Sequence, residues 1–168
     1  MNPPRKRHIS LEDQKFSLLY SFTEVRECIL QEAAQVKPEL VDQPFLGSWD
    51  ILKFLAHLRG WDFTNLEAAK DILKGKLPDF YARYDKDWAA YNARLVAQYR
   101  CESLPEMLQA VRDSQAELLD FLERLTPAQV LKDQGVRHGN YKVIISRLIA
   151  AETRDEKMHL EQLMDFIR

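Results

Sequence analysis

Glu152 and His159 lie seven residues apart in the last long hydrophobic segment of the chain. At about 100° per residue, both fall within roughly 20° of the centre of that segment's apolar stripe. Asp155 and Glu156 flank the centre on opposite sides. A helix that faces a core should not carry ionisable groups in the middle of its buried face, because an unpaired buried charge costs several kcal/mol. Something must compensate them. A divalent metal is one such compensator: imidazole and carboxylate a turn apart point the same way, as Asp155 and His159 do. A second segment supplies His57, beside Phe54 and Trp61, with Asp62 nearer the centre of its own stripe as a reserve ligand. The competing reading is a polar network or a partly wet groove that satisfies these groups without any metal.

The elements that must position these residues read as helices. Ser10 precedes Glu12 and Asp13 as an N-cap with acidic residues in the first turn, and Leu18, Phe22, Val25, Ile29 and Ala33 then recur at helical spacing until Pro38. After Pro44 and Gly47, Ser48 reads as the cap of a second long helix that runs to about Gly75; Gly60 weakens it by roughly 1 kcal/mol relative to alanine without stopping it. Residues 77–100 are crowded with Phe80, Tyr81, Tyr84, Trp88, Tyr91 and Tyr99 and read as a loop followed by a short helix. Ser103 with Glu106 forms a capping box for a third long helix, whose stripe from Leu104 to Leu125 is interrupted only by Gln115. Thr126 and Pro127 open a short helix to about Leu131, and the last helix is expected from about Tyr141 to Ile167. No segment alternates with period two between hairpin turns. The expected fold is all-α: a four-helix bundle, residues 10–168, with short extra helices between the long ones and an extended or disordered tail over residues 1–9.

Composition removes several functions. Of 168 residues 46% are hydrophobic, enough for one sizeable core, and five glycines and seven prolines leave little room for a linker. The 24 basic and 26 acidic residues are mixed along the chain and give a formal charge of -2, so no footprint for nucleic acid or anionic lipid exists. The one basic cluster, Arg5, Lys6 and Arg7, reads as a solvated terminus. No apolar run approaches the ~18 residues of a membrane span and no hydrophobic leader opens the chain, which predicts a cytoplasmic protein. Cys28 and Cys101 are far apart, without CxxC spacing, and read as reduced thiols. Without a basic groove beside them, the middle aromatics read as core or pocket wall rather than as a stacking platform for bases.

The segment from Gly47 to Asp62, GSWDILKFLAHLRGWD, resembles the motif of the DinB/YfiT-like superfamily, in which a tryptophan near a helix start precedes an AHL..GW stretch. The resemblance implies that His57 is a metal ligand. It also implies a last helix with two histidines four residues apart; His159 matches the second, and Asp155 stands where the first is expected. The implied site is His57, Asp155 and His159, with Glu152, Glu156 and Asp62 as alternates. Two histidines and a carboxylate suit Zn, Ni, Fe or Mn and leave positions open. The segment DWAAYNARLVAQY, Asp87 to Tyr99, is similar to a tryptophan-and-asparagine segment in the branch that includes the colibactin self-resistance proteins. That similarity implies a pocket near Trp88, Tyr91 and Asn92, with Trp49, Phe54 and Trp61 on the helix of His57.

Two readings of function follow. The resemblance implies an enzyme of detoxification or stress response that uses a metal to transfer a low-molecular-weight thiol, of the bacillithiol or mycothiol kind, to a small-molecule substrate, or that hydrolyses a reactive metabolite. The other reading is a small-molecule binding or sequestering protein that uses the same pocket without catalysis or metal. The resemblance also implies a homodimer paired through helix faces, for which the broad stripes of the first and third helices are available.

Overall fold

The computed structural model describes residues 9–85 and 87–168. The basic cluster Arg5–Arg7 and most of the expected tail lie outside the described residues. Four long helices dominate: α1 (Leu11–Ala33), α2 (Ile51–Leu73), α5 (Leu104–Arg124) and α7 (Ile145–Ile167), with the short helices α3 (Asp79–Tyr84), α4 (Trp88–Tyr99) and α6 (Pro127–Leu131) between them. The all-α bundle read from the sequence is the fold observed. α1 packs along α7, α2 packs along both α5 and α4, and α2 also meets α7. Among the described residues, no helix is long and apolar enough to cross a membrane. Cys28 and Cys101 are free thiols.

Several caps form where the sequence puts them. Ser10 Oγ accepts from Asp13 N at 3.0 Å and Ser103 Oγ accepts from Glu106 N at 3.4 Å. The full reciprocal box is found at Thr126 and Gln129. Helix α2 departs from expectation: its N-cap is Asp50, whose Oδ1 accepts from Lys53 N at 2.8 Å, and not Ser48. Ser48 is spent in a tight turn, in which Gly47 takes φ +60° and Leu46 and Trp49 exchange backbone hydrogen bonds of 3.0 and 3.3 Å.

Two further expectations are corrected. Residues 77–100 hold two helices, α3 and α4, rather than a loop and one helix. Tyr141 does not belong to the last helix, which begins at Ile145. Instead Arg137–His138 (β1) and Tyr141–Lys142 (β2) form a small antiparallel hairpin, with His138 opposite Tyr141. Gly139, at φ +56°, supplies the left-handed position that the two-residue reversal needs.

The interior is divided. One apolar cluster joins Phe22, Leu66, Ile72, Phe80, Leu95, Leu118 and Ile149; the other joins Ile29, Ile51, Phe54, Leu55, Leu58, Met107 and Val111. Polar residues contributed by all four long helices form a buried network within this interior. Arg26 of α1 is fully buried and bonds two carboxylates, each through two contacts: Asp62 of α2 at 2.8 and 3.1 Å, and Glu156 of α7 at 2.5 and 2.9 Å. Ser114 of α5 donates to Asp62 Oδ2 at 2.6 Å.

Candidate functional site

A cavity of about 530 Å³ opens beside this buried network. One helical face of α2 supplies His57, Trp61 and Asn65, each four residues from the next. Helix α7 supplies Leu148, Ala151, Glu152, Asp155 and His159 opposite them. Phe80 and Tyr81 of α3, Trp88 and Asn92 of α4, and Tyr141 of the hairpin complete the wall. The short elements between the long helices therefore carry aromatic side chains to the site.

The two histidines meet at one side of the cavity, with ring centroids 5.8 Å apart and planes at 86°. Trp49 lies 5.0 Å from the His57 ring, and Phe54 meets the His159 ring edge-on at 5.5 Å. His57 is held neutral: burial, then the proximity of His159 and Arg26, lowers its pKa to about 3, against a hydrogen bond with Asn92 that works the other way. Its Nδ1 is buried without a partner. His159 Nδ1 lies 2.9 Å from Gln162 Oε1. An amide oxygen only accepts, so Nδ1–H is the donor in this contact, which orients the ring.

The carboxyl groups divide into two kinds. Asp62 and Glu156, both alternates as ligands, are already bonded through both oxygens by Arg26. Glu152 faces the cavity one turn away, and burial, reinforced by the neighbouring Glu156, raises its pKa well above the ordinary carboxylate value. One cation cannot neutralise three buried carboxylates, so Glu152 holds its proton to higher pH than a free glutamic acid does. Asp155 lines the same cavity but is exposed. Among the described residues no three His, Cys, Asp or Glu side chains converge into a metal-holding group. The three expected ligands thus share a cavity, and the two histidines meet, but Asp155 does not close on them.

Of the expected pocket residues, Trp61, Trp88 and Asn92 line the cavity, and Trp61 Nε1 donates to Asn92 Oδ1 at 2.9 Å. Trp49, Phe54 and Tyr91 stand behind the lining; Tyr91 is buried against Trp61, its hydroxyl 2.9 Å from Thr64 Oγ1. Asn65, Tyr141, Leu148 and Ala151 are lining residues that sequence reasoning missed. Asn65 was within reach of it, since it continues the His57–Trp61 spacing by one more turn. Arg26 was missed too, although an arginine between Phe22 and Ile29 on the inward face of α1 is itself a signal of buried carboxylates.

Fold and site together describe a four-helix bundle whose interior opens into an aromatic-walled cavity bearing a histidine pair. The sequence model of the DinB superfamily matches residues 21–163, and the chain belongs to that superfamily. No curated protein and no solved structure matches the chain.

Proposed function

We propose that this protein is a metal-dependent enzyme that acts on a reactive small molecule in the cavity, either by transferring a low-molecular-weight thiol to it or by hydrolysing it. The observation that carries the reading is the histidine pair. A metal ligand must be unprotonated and is usually oriented by a second hydrogen bond. His57 is held neutral by burial and its Nδ1 has no protein partner, and His159 is oriented by its contact with Gln162. His57, His159 and Asp155 would hold the ion, with Glu152 as alternate ligand. When bound, a Zn, Ni, Fe or Mn ion supplies acidification of a thiol or water at its open position.

The chain's own residues have further roles in this reading. Where Asp155 is the ligand, Glu152, which holds its proton more tightly than a free carboxyl, donates a hydrogen bond or a proton to substrate oxygen or nitrogen. The ring wall of Trp61, Phe80 and Trp88 excludes water from the reacting end. Similarity of the Asp87–Tyr99 segment to the colibactin self-resistance branch is what supports the hydrolytic option beside thiol transfer.

Elemental analysis of protein purified without a metal-affinity tag tests the proposal, with titration of the four metals. About one ion per chain is expected, lost in both His57→Ala and His159→Ala. No stoichiometric metal and no binding on titration would sink it. The exposed position of Asp155 favours a second reading, a metal-free binding protein that uses the same cavity. Under that reading the metal titration is blank while small molecules still bind.

A further inference from the structure

The register between α2 and α7 is set at two levels. His57 meets His159, and further along Asp62 and Glu156 share Arg26, so the two helices run antiparallel. Asn65 stands eight residues along α2 from His57, about 12 Å of helix, and Glu152 stands seven residues back along α7 from His159, about 10 Å. Both line the cavity, which therefore has a second polar end beyond the histidine pair. Between the two ends stands Trp61, in contact with Phe80 at 5.6 Å and Trp88 at 5.9 Å. These rings give the apolar body of a ligand its contact.

The second end offers acceptors. Asn65 is 3% exposed and its Nδ2 is sealed within the protein, so the amide oxygen Oδ1 is the atom left to the cavity. Glu152 is 8% exposed, and among the described residues nothing hydrogen-bonds its carboxyl or the Asn65 oxygen. Arg26 is taken up by Asp62 and Glu156, which leaves Glu152, one turn from Glu156, without a counter-charge. Asp155 adds an exposed carboxyl to the lining, in which no lysine or arginine takes part. Acceptors without a cation beside them select a positively charged donor. An ammonium brings three N–H groups and the charge that Glu152 lacks, whereas an anion is repelled by both carboxylates.

We propose that the cavity takes an amine with an apolar body, its nitrogen held as an ammonium between the Glu152 carboxylate and Asn65 Oδ1 while the body lies along Trp61. An amine that arrives neutral takes the Glu152 proton, and one that arrives charged displaces that proton to solvent, so both routes end in the same ion pair. This rests on the cavity being the small-molecule site, with Glu152 left to the ligand rather than to an ion at the histidines.

The test is calorimetric titration of the full chain at about pH 7, as purified and after dialysis against EDTA. 2-Phenylethylamine is the charged probe, and 2-phenylethanol is its neutral counterpart of like size and shape. The wild type should bind the amine about tenfold more tightly in both preparations. Glu152→Gln, which keeps the shape and removes the charge, should bring the ratio of dissociation constants close to one. Asn65→Leu should weaken amine binding about fivefold and alcohol binding less, and it carries the test if the glutamine variant does not fold. The metal content of Glu152→Gln should equal that of the wild type. Equal affinities in the wild type, a preference that either variant retains in full, or no binding of either probe overturns the inference, as does loss of bound metal from Glu152→Gln. Because the EDTA-treated protein is titrated as well, a blank metal analysis leaves the amine result standing, and equal probe affinities leave the metal result standing.

Discussion

Arg26 sits where an error of charge would be most expensive. It is fully buried, lies 5.4 Å from the Phe22 ring, and holds carboxylates from two other helices. Removing one partner of a buried ion pair costs far more than the pair contributes net, since the remaining charge stays desolvated. Arg26→Met should therefore lower the unfolding free energy by about 3–5 kcal/mol at pH 7, read by urea denaturation. A loss below about 1 kcal/mol would show that water or a rearranged partner reaches Asp62 and Glu156. The two carboxylates were legible in the sequence as inward-facing groups in need of compensation, but a metal was only one candidate for the role. Their compensator is a side chain on α1, and the pairing of residues 36 and 130 positions apart leaves no mark in periodicity. His57 and His159 were legible for the same reason as the carboxylates, with the motif adding that they belong to one site.

At the scale of elements, α4 is held to α2 by a missing side chain. A Cβ at Gly60 would stand 2.7 Å from Leu95 Cβ and 3.0 Å from its Cγ. In an ordinary helix interior, glycine to alanine gains up to about 1 kcal/mol. Here the clash involves an atom fixed to the backbone of α4, and overpacking costs roughly 1–3 kcal/mol. Gly60→Ala should therefore destabilise the protein and displace α4. Because α4 carries Trp88 and Asn92 into the cavity, the same variant should also shift the tryptophan fluorescence of the folded protein; unchanged stability and unchanged emission together would contradict the packing argument. The long helices were readable because buried faces repeat every turn. The hairpin was not, since two-residue strands have no period to detect, and neither was the Gly60 contact, which depends on where α4 docks. The cap of α2 was misplaced by two residues because Ser48 and Asp50 are both good caps in sequence, and only the Leu46–Trp49 turn decides between them.

For the whole molecule, the buried groups oppose one another in their response to pH. Unfolded His57 takes up a proton below about pH 6.5, whereas the folded ring resists until about pH 3. Stability is thus lost as pH falls through that window. Glu152 has the opposite sign: its folded carboxyl holds a proton that the unfolded group, near 4.5, has released, so stability is lost as pH rises above that value. Asp62 and Glu156, both raised by burial against the opposing charge of Arg26, add to the alkaline slope. The profile of unfolding free energy against pH should therefore be a dome with separable limbs. In EDTA-containing buffer, Glu152→Gln should be more stable than the wild type at pH 8 by roughly 1 kcal/mol or more, with little difference at about pH 4.5. His57→Phe, which keeps an aromatic ring between Trp49 and Trp61, should flatten the acid limb and leave the alkaline one. Urea titrations from pH 4.5 to 8.5 on the three proteins distinguish these outcomes, and profiles that run parallel would mean that neither group changes its protonation on folding. An added divalent ion should stabilise only proteins that retain His57. The gain should grow with the free ion concentration, because binding stabilises the folded chain by mass action.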